Sequence, residues 1–235
     1  MLGIIVEAQT NADDLPDRAF YKFGKHSVVA RVLTNCVKSD FAHKVILSMP
    51  SIDKSLIHGH VFQDSLVSVS GINYMDRGIT TNFYGRYEEG LSRLYHAALT
   101  NELTTIVKIN ADNVLIPTWL INQACLHYFK EVKDNEFLIV GGQEYNAGLE
   151  IEIFQFWMLA EAHINCDDQL GLSSYMLNNF EPRYMLNSGK NYIKNVQQDL
   201  RFRTRSQVGL IGSILEEVDL GADVGEVIGD MEEGN

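Results

Sequence analysis

The chain has 235 residues, 46% of them hydrophobic, and a formal net charge of −12. This length and composition suit one globular domain with a sizeable core, and no apolar stretch reaches the roughly 20 residues of a membrane-spanning helix. The acidic balance argues against nucleic acid as a partner, because such binding depends on basic side chains that neutralise phosphates.

Strand and helix patterns alternate through the first third of the chain. Residues 2–7 form an apolar run typical of a buried strand, and residues 27–38 carry apolar side chains at helical spacing. Residues 44–49 predict a second strand that ends before Pro50, and residues 66–70 predict a further strand. This alternation is typical of an α/β domain.

The same alternation continues over the next hundred residues. The predicted elements are a helix at 86–99, a strand at 104–109, a helix from Pro117 to about Phe129, strands at 136–140 and 149–154, and a helix at 155–164. Such an order predicts an open, mostly parallel, Rossmann-like sheet with helices on both faces. We therefore place one domain over residues 1–218.

The charge is uneven near the end of the chain. Residues 181–205 carry six basic side chains, whereas residues 216–235 carry eight acids and no base. We interpret this as a basic face followed by a solvated acidic tail at residues 219–235. The alternative is a tail that docks on a basic face of its own chain or of a neighbouring chain. Over residues 200–205 arginines alternate with other residues, which favours an exposed face over an anion site.

The sequence contains no familiar catalytic or metal-binding motif. Its three cysteines are single and far apart, so they form neither a disulfide framework nor a metal knuckle. This usage indicates the cytoplasm, or a particle assembled there. GxGxxG, Walker-type GxxxxGK[ST], HExxH and GxSxG patterns are absent. No catalytic residue can therefore be assigned from a motif.

Two short segments carry most of the functional information. Asp112 follows an apolar strand, at the position where an open α/β sheet binds its ligands. Glu150 and Glu152 alternate with apolar residues, as in a half-buried strand. Each also has a structural interpretation. A cap of the following turn is as much expected of Asp112 as metal binding. For the two glutamates a solvated strand face is the favoured expectation.

Four segments in order resemble one enzyme family. They are the strand at 2–8 with its following Leu15-Pro16, the helix at 90–98, the stretch around Asp112, and the strand at 148–154. Together they resemble the cytidylyltransferases of the spore-coat polysaccharide type, relatives of the CMP-Kdo and CMP-acylneuraminate synthetases. The resemblance implies a nucleotidyltransferase fold of the glycosyltransferase-A type. It also implies that a sugar attacks the α-phosphate of CTP with Mg²⁺ as cofactor.

The resemblance also implies site residues for an active enzyme. Asp112 would hold the Mg²⁺. The remaining positions are the nucleotide-binding residues Arg18, Arg93 and Lys108, and the sugar-side residues Gly148, Glu150 and Glu152.

The first loop and the chain end depart from the family pattern. Gln9 and Asp14 stand where the family has arginines, and Asp13, Asp14 and Asp17 border the expected triphosphate pocket. Like charges at about 4 Å cost roughly 1–4 kcal/mol each, and two lost arginine contacts remove about 1.5–3 kcal/mol apiece. Arg205 stands in place of a second metal-binding aspartate. We therefore expect weak CTP binding.

These departures favour a catalytically inactive relative. It would act as a structural or interaction component, for instance of a viral particle, with protein partners or self-association. Two alternatives remain open. One is an active Mg²⁺-dependent nucleotidyltransferase that makes a CMP-sugar. The other is a carbohydrate-binding protein that keeps the sugar side at residues 148–154. A nucleotide or a sugar would be the ligand.

Overall fold

The protein is described by a computed structural model that covers residues 1–8, 15, 17–54, 79–142, 145–166, 171–186 and 199–216. The strands are β1 (Leu2–Glu7), β2 (Lys22–Phe23), β3 (His26–Ser27), β4 (Val45–Met49), β5 (Ile79–Phe83), β6 (Thr105–Asn110), β7 (Glu136–Val140), β8 (Ile151–Gln155) and β9 (Glu181–Tyr184). The helices are α1 (Val28–Val37), α2 (Gly90–Thr100), α3 (Thr118–Glu131), α4 (Phe156–Asn165), α5 (Leu172–Asn179) and α6 (Arg205–Glu216).

Seven strands form one mixed sheet in the order β5-β4-β1-β6-β8-β7-β9. Strand β1 pairs in parallel with β4 and β6, β4 with β5, and β7 with β9, whereas β8 is antiparallel to both of its neighbours. This arrangement confirms the Rossmann-like, mostly parallel α/β sheet expected from the alternation. The hairpin of β2 and β3 lies outside this sheet and was not predicted.

Helices cover both faces of the sheet because successive side chains of a strand point to opposite faces. Along β1, Ile4 and Val6 belong to the core that α1 and α3 cover, whereas Ile5 belongs to the core that α2 and α4 cover. Helix α1 begins after Ser27, whose hydroxyl accepts a hydrogen bond from the Ala30 amide at 3.3 Å. This is the capping interaction that a serine provides at a helix start.

The predicted elements agree with the structure to within a few residues, and the strand proposed at 66–70 lies outside the described residues. The helix expected at 86–99 begins only at Gly90, and the strand expected at 149–154 begins at Ile151. In the part of the chain that the structure describes, none of the helices has the length and apolar content that a bilayer crossing requires.

An ion pair between the half-exposed Arg183 and the buried Glu136 ties the edge strand β9 to the sheet. Glu136, the first residue of β7, accepts hydrogen bonds from the Arg183 guanidinium at 2.5 Å and from the Lys133 amide at 3.0 Å. The hydrogen bond from Arg183 is the main reason why the pKa of Glu136 falls from 4.5 to about 2. A carboxyl whose pKa is depressed by folding contributes stability above its unfolded pKa and loses it as the pH falls.

We therefore predict that the free energy of unfolding decreases between about pH 4.5 and pH 2, and that Glu136→Gln flattens this decrease. Denaturant unfolding at a series of pH values measures it. Glu181→Gln is the matched control, because that acid also contacts Arg183, at 3.6 Å, but its side chain is 60% exposed. An equal effect of both variants would contradict the assignment to Glu136.

Candidate functional site: a cavity at the switch point of the sheet

A cavity of about 400 Å³ opens at the carboxyl ends of β1 and β6. Its walls come from these strand ends, a 3₁₀ turn at Arg18–Phe20 and the first turns of α2 and α5. The chain moves from β1 outward to β4 and β5, and then returns to β6 on the other side of β1. The loops after β1 and β6 therefore diverge, which leaves the crevice where open α/β sheets bind ligands.

The structure brings four of the residues proposed from the sequence into this cavity. Arg18 comes from the 3₁₀ turn, Arg93 from α2, Lys108 from β6, and Asp112 from the turn after β6. The three sugar-side residues, Gly148, Glu150 and Glu152, are not part of the cavity wall formed by the described residues. Glu7 and Arg203 line the cavity and were not singled out from the sequence as parts of the site.

Asp112 is paired with an arginine. Its side chain is 4% exposed, and its Oδ2 accepts a hydrogen bond from the Nε of Arg203, a side chain that is 40% exposed. Its other oxygen, Oδ1, is buried without a hydrogen-bond partner among the described residues. The carboxylate therefore faces a guanidinium, and within the described part of the chain it does not cap the following turn. It is Arg203, and not Arg205, that takes the position beside Asp112.

Residues 199–204, which we call the strap, carry Arg203 to this position. The Leu200 amide donates to the Ala147 carbonyl at 2.7 Å, and the Phe202 amide donates to the Asp112 carbonyl at 2.8 Å. The Phe202 ring is fully buried, 5.1 Å from the ring of Phe23. Backbone hydrogen bonds and a buried ring therefore hold the guanidinium against Asp112.

Gly148 and Glu150 support the strap. Gly148 has φ +105°, and a Cβ atom there would lie 2.6 Å from the carbonyl carbon of Leu200. Only glycine tolerates both this dihedral angle and this close approach. The Glu150 carboxylate accepts from the Gly148 amide at 2.7 Å. The contacts of both residues are with the chain itself, so a role toward a sugar stays a prediction.

Lys108 lies between two carboxylates. Its Nζ is 3.1 Å from Glu152 and 3.9 Å from Glu7, and the Ser173 hydroxyl donates to Glu152 at 2.7 Å. The two glutamates come from the strands on either side of β6, and Glu152 is the direct cross-strand neighbour of Lys108. The Glu152 side chain is only 19% exposed, so the expectation that it belongs to a solvated strand face is wrong.

Burial and the neighbouring charges have opposite effects on the pKa values of Lys108 and the two glutamates. Burial acts to lower the pKa of Lys108, but the attraction of Glu152 and Glu7 outweighs it, and the pKa is raised. Burial acts to raise the pKa of Glu152, but the Lys108 charge and the Ser173 hydrogen bond together lower it. The pKa of Glu7 is raised, mainly by burial. Lys108 is therefore charged and already neutralised within the protein.

Two other guanidinium groups keep donors without partners. Arg18 forms no side-chain hydrogen bond or ion pair with another described residue. Burial is the main reason why its pKa is lowered; the Asp112 charge opposes this decrease and the Arg203 charge adds to it. Arg93 is 3% exposed. Its Nη1 donates to the Arg86 carbonyl at 2.8 Å, but its Nε is buried without a partner in the same part of the chain.

The charges around Asp112 do not favour Mg²⁺. This ion takes oxygen ligands in near-octahedral geometry, commonly one or two carboxylates together with waters and ligand phosphates, so the charge that faces the carboxylate decides the fit. Arg203 contacts the Asp112 carboxylate, and the Arg18 charge lies close to it. A divalent cation would therefore face positive charge.

Some of the expectations fall outside the described residues. They concern the first-loop residues Gln9, Asp13 and Asp14, and the acidic tail at 219–235. Asp17 is described, and it adopts a left-handed conformation with φ +57° just before the 3₁₀ turn that carries Arg18.

Comparison with solved structures identifies cytidylyltransferases of the same fold. A cytidylyltransferase from Leptospira borgpetersenii matches with a TM-score of 0.77 and 17% identity over 99% of this chain and 94% of that chain. A CMP:2-keto-3-deoxy-manno-octonic acid synthetase in complex with CTP matches with a TM-score of 0.60 and 9% identity over 92% and 98%. A 4-diphosphocytidyl-2C-methyl-D-erythritol synthase from Anaerococcus prevotii matches with a TM-score of 0.59 and 11% identity over 92% and 98%.

Comparison of the sequence itself finds no matching family model and no matching curated protein. Identities of 9–17% to the solved structures establish the fold alone. The chain therefore has the cytidylyltransferase fold, as the four sequence segments predicted, and the fold by itself does not establish an activity.

The close approach at Gly148 predicts a large effect of a single methyl group. Gly148→Ala should destabilise the protein by at least about 2 kcal/mol more than Gly142→Ala, because only the first adds overpacking to backbone strain. Gly142 is the matched control, since it has φ +72° but no described residue within 4 Å of the added Cβ. Urea unfolding measures both variants, and equal losses would contradict the proposed contact with the strap.

Proposed function

We propose that this chain is a cytidylyltransferase-fold protein that does not catalyse metal-dependent nucleotidyl transfer and acts by binding, as a structural or interaction component. Its partners would be other proteins or a second copy, in the cytoplasm or in a particle assembled there. The observation that carries this proposal is the ion pair between Asp112 and Arg203. It provides the carboxylate with a permanent cation.

The argument rests on the charges around one carboxylate. In metal-assisted phosphoryl chemistry a divalent ion neutralises developing charge and orients the reacting oxygens. A divalent ion about 4 Å from a guanidinium is repelled by roughly 2–8 kcal/mol, twice the value for two unit charges between water and a protein surface. Since Arg203 already contacts Asp112, a metal would have to displace this guanidinium or bind beside its charge.

Lys108 adds little positive charge to a triphosphate site. Lys108 is neutralised by Glu152 and Glu7, so its charge is offset before any ligand enters. Like charges from these two carboxylates oppose a highly charged nucleotide. Binding without chemistry is therefore the function that this arrangement supports best.

One observation favours an active enzyme as the second candidate. The Oδ1 atom of Asp112 is buried and has no hydrogen-bond partner among the described residues, so this oxygen remains available for a ligand. The two candidates differ in one measurable property, which is the dependence of nucleotide binding on a divalent cation.

For the native chain we predict that Mg²⁺ adds nothing to the thermal stabilisation by CTP. A ligand that binds only the folded state stabilises it by about 2.7 kcal/mol at a hundredfold excess over Kd, so a metal-dependent complex would be readily visible. The measurement is a thermal-shift titration with CTP, with and without MgCl₂, next to an assay of pyrophosphate release. A Mg²⁺-dependent shift together with release of pyrophosphate would refute the proposal.

For Arg203→Ala we predict a destabilised protein that a divalent cation partly rescues. Removing the guanidinium leaves a buried carboxylate without its charge partner, at a cost of about 1–3 kcal/mol, and opens that carboxylate to Mg²⁺. Urea unfolding with MgCl₂, and with NaCl at equal ionic strength, measures the rescue.

Arg201→Ala is the control for this variant. It removes an arginine from the same strap, but Arg201 pairs with the half-exposed Asp199 rather than with Asp112. Equal behaviour of the two variants, or equal rescue of the native chain by Mg²⁺, would show that Arg203 does not occupy a cation position.

A further inference from the structure

We propose that the cavity binds the phosphoryl group of a small phosphate monoester directly through the guanidinium groups of Arg18, Arg93 and Arg203, without a metal ion. This inference rests on the proposed function, because it requires that Arg203 replaces a cation at Asp112. The ligand would be a nucleoside monophosphate or a sugar phosphate, which share the phosphoryl group that the site would recognise.

The balance of charge at one end of the cavity is positive. Arg18 and Arg203 both lie close to Asp112, which is the carboxylate that interacts with both of them. Two guanidinium groups and one carboxylate leave one positive charge. The neighbouring Arg201 and Asp199 form an ion pair with each other and add no net charge. An anion placed there is attracted strongly, because the surrounding groups are partly removed from water.

The neighbouring group of charges is neutral. Lys108 and Arg93 are opposed by Glu7 and Glu152, and the charges of Lys108 and Arg93 both act on the partly buried Glu7. Glu88, which also lines the cavity, is exposed, so water and salt screen its charge. Among the described residues of the wall, the positive charge beside Asp112 is therefore not cancelled.

The donors of the arginines are arranged for an acceptor that the protein does not supply. A buried donor without a partner costs free energy, and the Nε of Arg93 is such a donor in the described structure. Its Nη1 is anchored by the Arg86 carbonyl, which restricts the orientation of the guanidinium plane. Arg18 likewise has no side-chain acceptor among the described residues, although it lines the cavity.

A phosphate monoester fits this chemistry better than a triphosphate. Guanidinium forks match phosphate oxygens in pairs, and three arginines around one cavity suit a tetrahedral group with several acceptor oxygens. One uncompensated positive charge offsets half or more of the charge of a group of about −1.5 to −2 at neutral pH, whereas a triphosphate would need further cations. The volume of about 400 Å³ lies within the range of about 300–1,000 Å³ of small-ligand pockets.

Calorimetric titration of the full chain in EDTA tests this inference, with inorganic phosphate, CMP and glucose 1-phosphate as probes. We expect binding that Arg18→Gln weakens at least tenfold, with a smaller loss for Arg18→Lys, which keeps the charge but not the fork. Arg205→Gln should leave the affinity unchanged. It removes the same charge from an exposed residue at the start of α6, outside the cavity wall.

The possible outcomes separate this inference from the proposed function. Tighter binding of CMP than of the other probes would support a nucleotide ligand, and tighter binding of glucose 1-phosphate a sugar ligand. No binding of any probe in EDTA, or equal weakening by Arg205→Gln, would overturn the inference alone. Binding that appears only with Mg²⁺ would overturn both proposals. Unfolding temperatures of the unliganded variants establish that each is folded.

Discussion

The ion pair between Asp112 and Arg203 is the interaction on which the character of this site depends. A buried carboxylate needs a positive partner, since an unpaired charge in a low-dielectric environment is costly. That partner is either a bound cation or a basic side chain. Here the guanidinium of Arg203 supplies the charge, so the requirement that would favour a metal at Asp112 is already met by the chain itself.

The sheet topology makes this pair possible. The turn after β6 presents Asp112 at the crevice beside β1, and the strap crosses the same edge with its amides bonded to Ala147 and Asp112. Phe202 anchors the strap in a small core with the β2–β3 hairpin and α6. Gly148 allows the crossing because no side chain separates the two backbones. The position of the Arg203 charge at the site thus depends on the packing of Phe202 in this small core.

Periodicity was a sufficient guide to the regular elements but not to their contacts. Alternating and helical apolar patterns located β1, α1, β4, β6 and β7, since these elements bury a face whatever their neighbours are. The antiparallel direction of β8 cannot be inferred from such a local sequence pattern. Its consequence is that Glu152 lies directly across from Lys108 and is paired instead of solvated. Cross-strand partners depend on strand order and register, which sequence spacing does not record.

The sequence by itself determined the α/β class, the order of most elements, the resemblance to the cytidylyltransferases and four of the residues that line the cavity. These features are local, because each depends on a short run of residues and its burial. Only the tertiary structure decided that Asp112 meets Arg203, 91 positions later in the chain, and that Gly148 and Glu150 hold the strap. Contacts at that separation arise from the way the elements pack, which no local pattern specifies.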